Sequence, residues 1–222
     1  GRAPGSDPRA SRALGAEAPE HFGQLFNHML ALSRGTLPRT HPVAGVTVMP
    51  DDVALPPIWI LGSSGASAAA AGGAGMGYGF ASHFSPAPPG PALERYRASF
   101  KPSAQFPEPH AILAVSVVCA ETDEQAEYLA ASVDLTMLRI EDNDFRPMVS
   151  AEDAHAYQYS DGERRKIEEN RARYIVGGPQ RVCECLAAMA AESGADELML
   201  VCNLPDHSAR LDAYRLIAGA AG

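Results

Sequence analysis

The chain has 222 residues, 46% of them hydrophobic, and a formal net charge of −9. This length and apolar content suit one sizeable domain with its own core and leave too little chain for two. The negative charge argues against nucleic acid or an anionic membrane surface as a partner, because the arginines and lysines are scattered and form no basic patch.

Four cysteines lie in the second half of the chain. Cys183 and Cys185 would point to different sides of a helix, and no further Cys or His stands nearby to complete a zinc set. Cys119 and Cys202 end apolar runs, which is typical of buried, reduced thiols. We therefore predict no metal site and a cytoplasmic location. No apolar stretch reaches the roughly 20 residues of a membrane span, and no signal peptide opens the chain.

The first predicted elements are a loop over residues 1–12, a helix over residues 19–33 and a long proline-containing connection over residues 35–53. Apolar residues at helical spacing from Phe22 to Leu32 indicate the helix. The chain begins at Gly1 without a methionine, in residues of loop character, and we expect it to follow a preceding segment.

The stretch from Leu55 to Gly73, LPPIWILGSSGASAAAAGG, holds the clearest candidate site. Its apolar run Ile58–Leu61 predicts a strand with both faces covered, and the alanines that follow predict a helix. The turn between them, residues 62–65, has two glycines that allow close approach of the backbone to a ligand and two serines that can cap the helix. Backbone N–H groups at such a helix start bind anions. The alternative is an ordinary strand-to-helix turn with a serine cap.

Three further strands are predicted from apolar runs, over residues 77–82, 110–118 and 197–202. Helices are predicted over residues 92–100, 122–138, 160–174, 180–192 and 207–216, with an irregular segment at 142–159 and a turn at 175–179. Strands that alternate with helices imply a parallel sheet, in either a (β/α) barrel or an open doubly wound fold. No G-x-G-x-x-G motif follows the first strand, which disfavours dinucleotide binding.

Five motifs in this order resemble the bacterial luciferase-like flavin-dependent monooxygenases, over Gly1 to about Leu216: GRAPGSD, LPPIWILGSSGASA, FASHFSP, IVGGPQRV with GADELML, and PDHSARLDAY. The resemblance implies an α/β fold, the TIM (β/α)8 barrel. It places residues 1–5 after barrel strand four and the four predicted strands at positions five to eight. Residues 1–222 would then form a single, incomplete barrel domain that lacks strands one to three and most of strand four, with an irregular insertion around residues 140–160.

The resemblance also implies residues that hold the cofactor. The turn after strand five matches the phosphate-binding stretch of the family, and an arginine after strand four commonly reaches the same phosphate. The cofactor-binding residues predicted in this way are Arg2, Gly62, Ser63, Ser64, Gly65 and Ser67. A flexible terminal arginine and a solvent-facing Ser67 are the alternatives.

His83, at the end of strand six, is the candidate catalytic residue, because the carboxyl ends of barrel strands carry the chemistry and histidine transfers protons near neutral pH. The alternative is a histidine that only hydrogen-bonds a backbone carbonyl. Asp206 lies on the same rim, with helix capping as its alternative role. His110 lies at the opposite end of its strand and has no predicted role.

The resemblance implies that reduced FMN and O2 act on a small organic substrate, with a separate flavin reductase as an optional partner. Two alternatives stay open: hydride transfer with a deazaflavin coenzyme, and a catalytically incomplete fragment that serves as a binding or assembly module. Because strand five would lack its barrel neighbour, we expect an exposed apolar edge and a homo-oligomer.

Overall fold

The computed structural model describes residues 22–50 and 53–222, and in those ranges the chain forms eight α-helices and one parallel five-stranded sheet. It divides into two units, Gly1–Pro56 and Pro57–Gly222, which are described separately. The described part of the first unit contains helix α1, Phe22–Ser33. Its end agrees with the predicted end, whereas the predicted start at residue 19 lies outside the described residues.

The sheet of the second unit contains four strands close to the predicted positions and a fifth that the sequence does not predict. The strands are β1 Trp59–Gly62, β2 Gly77–Ala81, β3 Ala111–Cys119, β4 Tyr174–Gly177 and β5 Glu197–Val201. All pairings are parallel, and β3 pairs with β2, β4 and β5. The predicted parallel α/β class is therefore confirmed, while a barrel that lacks its first strands stays a prediction.

Strand β4 lies beyond the end of β2, on the same side of β3. Ser116 pairs with both Tyr174 of β4 and Val201 of β5, so these two strands flank β3 on opposite sides. The pairing of β2 with β3 stops at Ala114, and β4 takes over that side from Ser116 onward. The turn predicted over residues 175–179 is wrong in its first part, because β4 extends along the edge of β3 that β2 leaves free.

The helices of the second unit mostly follow their predicted start and stop signals. They are α2 Gly65–Gly73, α3 Gly90–Ser99, α4 Asp123–Glu141, α5 Ala151–Ala156, α6 Asp161–Asn170, α7 Pro179–Ser193 and α8 His207–Ala220. Thr122 caps α4, and Ser160 with Glu163 forms a reciprocal capping box at the start of α6. Gly194 ends α7 in the left-handed conformation, with φ of 66°.

The segment predicted to be irregular, residues 142–159, contains the short helix α5. The Ser150 hydroxyl caps it by accepting the N–H of Asp153 at 3.1 Å. Ala154 is fully buried in a small cluster with Leu135 of α4. A six-residue helix is unstable alone, so this packing against α4 accounts for a helix that the local sequence does not predict.

The sheet is buried at its centre and exposed at its margins. Every residue of β2 and β3 is buried, and Tyr78, Phe80 and Leu113 pack with helix residues in the main core. Each fully buried side chain of this size contributes about 1.5–3 kcal/mol. The edge strands β1 and β5 are more open, with Leu61 63% and Met199 50% exposed.

The four cysteines are free thiols, and Cys119 and Cys202 are buried as predicted. Burial raises the pKa of Cys119 to about 11. Among the helices of residues 22–50 and 53–222, none is both long and apolar enough to cross a bilayer.

Candidate functional site

The turn between β1 and α2 lies at the edge of the sheet where the strands have their carboxyl ends. Ser64 caps α2, because its hydroxyl accepts the N–H of Ser67 at 3.3 Å. Within the described residues, the hydroxyl of Ser63 and the backbone N–H groups of Gly65 and Ala66 have no hydrogen-bond partner, and all three residues are exposed. The turn therefore presents one free hydroxyl and two free N–H donors at the positive end of a helix.

The inner side of this turn is held by hydrogen bonds. The Ser67 hydroxyl donates to the Ser64 carbonyl oxygen at 2.8 Å and lies 3.2 Å from the Tyr78 hydroxyl. Ser67 is half-buried, and its hydroxyl is hydrogen-bonded within the protein. Gly62 is required for this arrangement, since a Cβ atom at position 62 would lie 2.2 Å from the Ser67 Oγ atom.

A second turn at the same edge, between β4 and α7, is closed by a side chain of the protein. The N–H of Gly178, the residue that precedes α7, donates to Asp123 Oδ1 at 2.6 Å. This bond, together with the nearby Arg181 guanidinium, lowers the pKa of Asp123. A carboxylate thus already occupies the start of α7.

Acidic groups also stand at the starts of the helices that follow β3 and β5. Asp123 and Glu124 lie in the first turn of α4, and Asp206 caps α8. Helix α2 has no acidic residue in its first turn. Among the turns that lead directly from β1, β3, β4 and β5 into a helix, the β1–α2 turn is therefore the one left open to an external anion.

His83 lies in the 3₁₀ turn Ser82–Phe84 that follows β2, on the predicted edge. Its Nδ1 atom is 3.3 Å from the carbonyl oxygen of Ala114, the last β3 residue that pairs with β2. Because a carbonyl oxygen only accepts, Nδ1 is the donor in this hydrogen bond, and Nε2 takes no part in it. The alternative prediction, a histidine that hydrogen-bonds a backbone carbonyl, is therefore met by this contact with Ala114. The Nε2 atom has no hydrogen-bond partner among the described residues.

The other predicted residues are placed as follows. Arg2 lies outside the described residues. Asp206 is a helix cap, since its carboxylate accepts the N–H of Ala209 at 2.7 Å. His110 precedes β3 at the amino ends of the strands, where its Nε2 is 3.3 Å from Glu197.

A partly buried ionic cluster between α4 and β4 is not predicted by the sequence. Arg171 donates to both carboxylate oxygens of Asp134, at 2.8 and 2.7 Å, and to Glu127 at 2.9 Å. The Tyr174 hydroxyl donates to the same Asp134, and burial raises the pKa of Tyr174, which keeps it protonated. Arg171 and Asp134 are 37 positions apart, so no motif or helical spacing could have indicated the pair.

A cavity of about 820 Å³ lies beside this cluster. Its lining has five acidic side chains, among them Glu124, Glu127 and Glu168, against two arginines, and this net negative charge disfavours a phosphate group. In residues 22–50 and 53–222, no group of three His, Cys, Asp or Glu side chains could hold a metal ion. The β1–α2 turn is thus the better candidate for an anionic ligand.

Comparisons with known proteins give a consistent result. The family model for luciferase-like monooxygenases matches residues 2–197. A luciferase-like monooxygenase of Escherichia coli is 31% identical, and the alignment covers 97% of this chain and 64% of that protein. The crystal structure of apo-MsnO8 is 35% identical with a TM-score of 0.75, over 90% of this chain and 60% of that one.

A more distant structure, the oxygenating constituent of 3,6-diketocamphane monooxygenase from Pseudomonas putida in complex with FMN, has a TM-score of 0.62 at 16% identity. The alignment covers 98% of this chain and 68% of that one, and it shows that the two folds are similar. The chain spans about two thirds of the length of these proteins, or less.

Proposed function

Because this chain belongs to the luciferase-like monooxygenase family, we propose that it takes part in an FMN-dependent monooxygenation of a small organic substrate. The observation that carries the proposal is the β1–α2 turn. It is open and free of acidic side chains, whereas the turns after β3, β4 and β5 have carboxylates at their helix starts.

The residues of this turn fit the phosphate group of FMN. The Ser63 hydroxyl and the N–H groups of Gly65 and Ala66 would donate to the phosphate oxygens, and the dipole of α2 favours the negative charge. Gly62 and Ser64 shape the turn, and Ser67 holds it from inside. Arg2 is proposed as a further phosphate contact.

Reduced FMN, when bound, would supply the two electrons with which one atom of O2 enters the substrate and the other leaves as water. The contribution of the protein is to bind, to orient and to move a proton. His83 is proposed for the proton step, because its Nδ1 is fixed by the Ala114 carbonyl and its Nε2 has no partner among the described residues. A separate reductase is proposed as the source of reduced FMN.

The phosphate site is tested by comparing the binding of FMN with that of riboflavin, which lacks the phosphate. We expect FMN to bind more tightly, and Ser63→Ala to weaken FMN about tenfold or more, as for a hydrogen bond to a charged group, with riboflavin unchanged. Equal affinity for the two flavins would overturn the assignment of the turn.

The reaction class is tested by mixing the protein with chemically reduced FMN and substrate candidates and measuring O2 uptake. Uptake that depends on substrate supports monooxygenation. Reduction of a deazaflavin by an alcohol without O2 would instead support the hydride-transfer alternative. Failure to bind either coenzyme would favour a binding or assembly module.

A further inference from the structure

Three donors converge on one backbone oxygen beneath the β1–α2 turn. The carbonyl oxygen of Ser64 accepts the N–H of Ala68 at 3.1 Å, the hydroxyl of Ser67 at 2.8 Å and the hydroxyl of Tyr78 at 3.3 Å. The first of these bonds is present in any helix that starts here. The other two come from side chains, and that of Tyr78 reaches the turn from the neighbouring strand β2.

These bonds determine the direction of a donor on the other side of the peptide. The Ser64 carbonyl and the Gly65 N–H belong to the same peptide unit, and in a trans peptide the two groups point in opposite directions. Since the carbonyl is held inward, the Gly65 N–H points outward, toward the exposed side of the turn. The orientation of this free donor therefore depends on the inner bonds.

Tyr78 is well suited to hold the carbonyl in place. Its side chain is fully buried, and its ring lies 5.5 Å from that of Tyr96, centroid to centroid. The ring cannot move without disturbing the core. Burial raises the pKa of Tyr78, so its hydroxyl stays protonated at physiological pH.

We propose that Tyr78 is a positioning residue for phosphate binding, which holds the Ser64–Gly65 peptide so that the Gly65 N–H is aimed at the phosphate before the cofactor arrives. The inference rests on the proposed function of the turn. It assigns a role to a residue that contacts the inner side of the turn, and it makes the strand β2 part of the phosphate site.

The test compares Tyr78→Phe with Tyr96→Phe. Both changes remove a buried tyrosine hydroxyl, but the Tyr96 hydroxyl bonds Met76 and His110 at the amino ends of the strands. Dissociation constants for FMN and riboflavin are measured by quenching of flavin fluorescence. We expect Tyr78→Phe to lower the preference for FMN over riboflavin about three- to tenfold, with riboflavin binding unchanged, and Tyr96→Phe to leave the preference as in the wild type.

If Tyr78 had a purely structural role, Tyr78→Phe would weaken the binding of FMN and riboflavin equally, or Tyr78→Phe and Tyr96→Phe would have the same effect. Either result would overturn the proposal. Ser67→Ala, which removes the other side-chain donor, is the second variant should Tyr78→Phe fail to fold, and we expect the same loss of preference. A wild type without preference for FMN would overturn the phosphate site and this inference together. A wild type that prefers FMN, with Tyr78→Phe unchanged, would overturn the inference alone.

Discussion

Replacing Gly62 by alanine should damage the β1–α2 turn directly. The new Cβ atom would lie 2.2 Å from Ser67 Oγ and 2.6 Å from Ser67 Cβ. Carbon atoms in contact are normally about 3.5–4.0 Å apart, so Ser67 has to retreat by about 1 Å. Ser67 cannot do so by a rotation of its distal atoms alone, because its Cβ is attached to the backbone of α2. The start of the helix must therefore shift.

The expected loss of stability has two parts. Overpacking of this kind costs about 1–3 kcal/mol. The shift also weakens the bond from the Ser67 hydroxyl to the Ser64 carbonyl, which adds about 1 kcal/mol. The sum of about 2–4 kcal/mol is a large share of the 5–15 kcal/mol typical of a folded domain. For a chain of this size, each kcal/mol lowers Tm by about 2–4 °C.

The assay is urea or thermal unfolding of Gly62→Ala beside Gly73→Ala. Gly73 is the last residue of the same helix, and its added Cβ would meet no atom within 4 Å. Gly73→Ala should be neutral or stabilising by up to about 1 kcal/mol, because alanine is the better helix former. If the free energy of unfolding of Gly62→Ala lies within about 0.5 kcal/mol of that of the wild type, the close approach of Gly62 and Ser67 is refuted.

Three other outcomes are expected. Arg171→Met should destabilise the protein by about 3–5 kcal/mol, because it leaves the Asp134 carboxylate buried without its cation. Adding Asp134→Leu and Tyr174→Phe removes this charge together with the hydroxyl that would lose its acceptor, and the triple variant should recover most of the loss. A triple variant no more stable than Arg171→Met would contradict this. The pKa of Asp123 is lowered by its bond to the Gly178 N–H at the α7 start, so its contribution to the free energy of unfolding is present above the unfolded pKa of about 4 and is lost as the pH falls through the folded pKa. The stabilities of wild type and Asp123→Asn should therefore converge below about pH 4. A stability difference that stays constant with pH would contradict the bond. In a thiol titration of the native protein at pH 8, Cys119 and Cys202 should react only after unfolding, and rapid labelling of either would contradict their burial.

The strands that the sequence predicts well are those whose residues are apolar without interruption. The prediction of residues 110–118 differs from β3 by one residue at each end, because a nine-residue run with both faces buried has few other solutions. Strand β4 has four residues and ends in glycine, which locally favours a turn. It is extended because β3 offers a free edge there, and that edge exists only in the folded sheet.

The features of the candidate site also fall into those that local sequence predicts and those that depend on the folded sheet. The position of Gly62–Gly65 at a strand end and helix start follows from local sequence, and so does the capping role of Asp206. The contact of Tyr78 with the turn depends on the register of β1 and β2, and the closure of the α7 start by Asp123 depends on the register of β3 and β4. Strand pairings leave no periodic pattern in the sequence. Contacts between side chains of different strands therefore cannot be predicted from one sequence alone.

The central place of β3 has a consequence for synthesis of the protein. Its partners β4 and β5 come later in the chain, and β5 begins about 80 residues after β3 ends. At translation rates of 5–20 residues per second, one long edge of this apolar strand stays bare for roughly 4 to 16 s. An unpaired edge with the sequence AILAVSVVC is a template for pairing with other nascent chains. Slower translation therefore lengthens the interval in which this edge is open to wrong pairing, whatever the stability of the finished sheet.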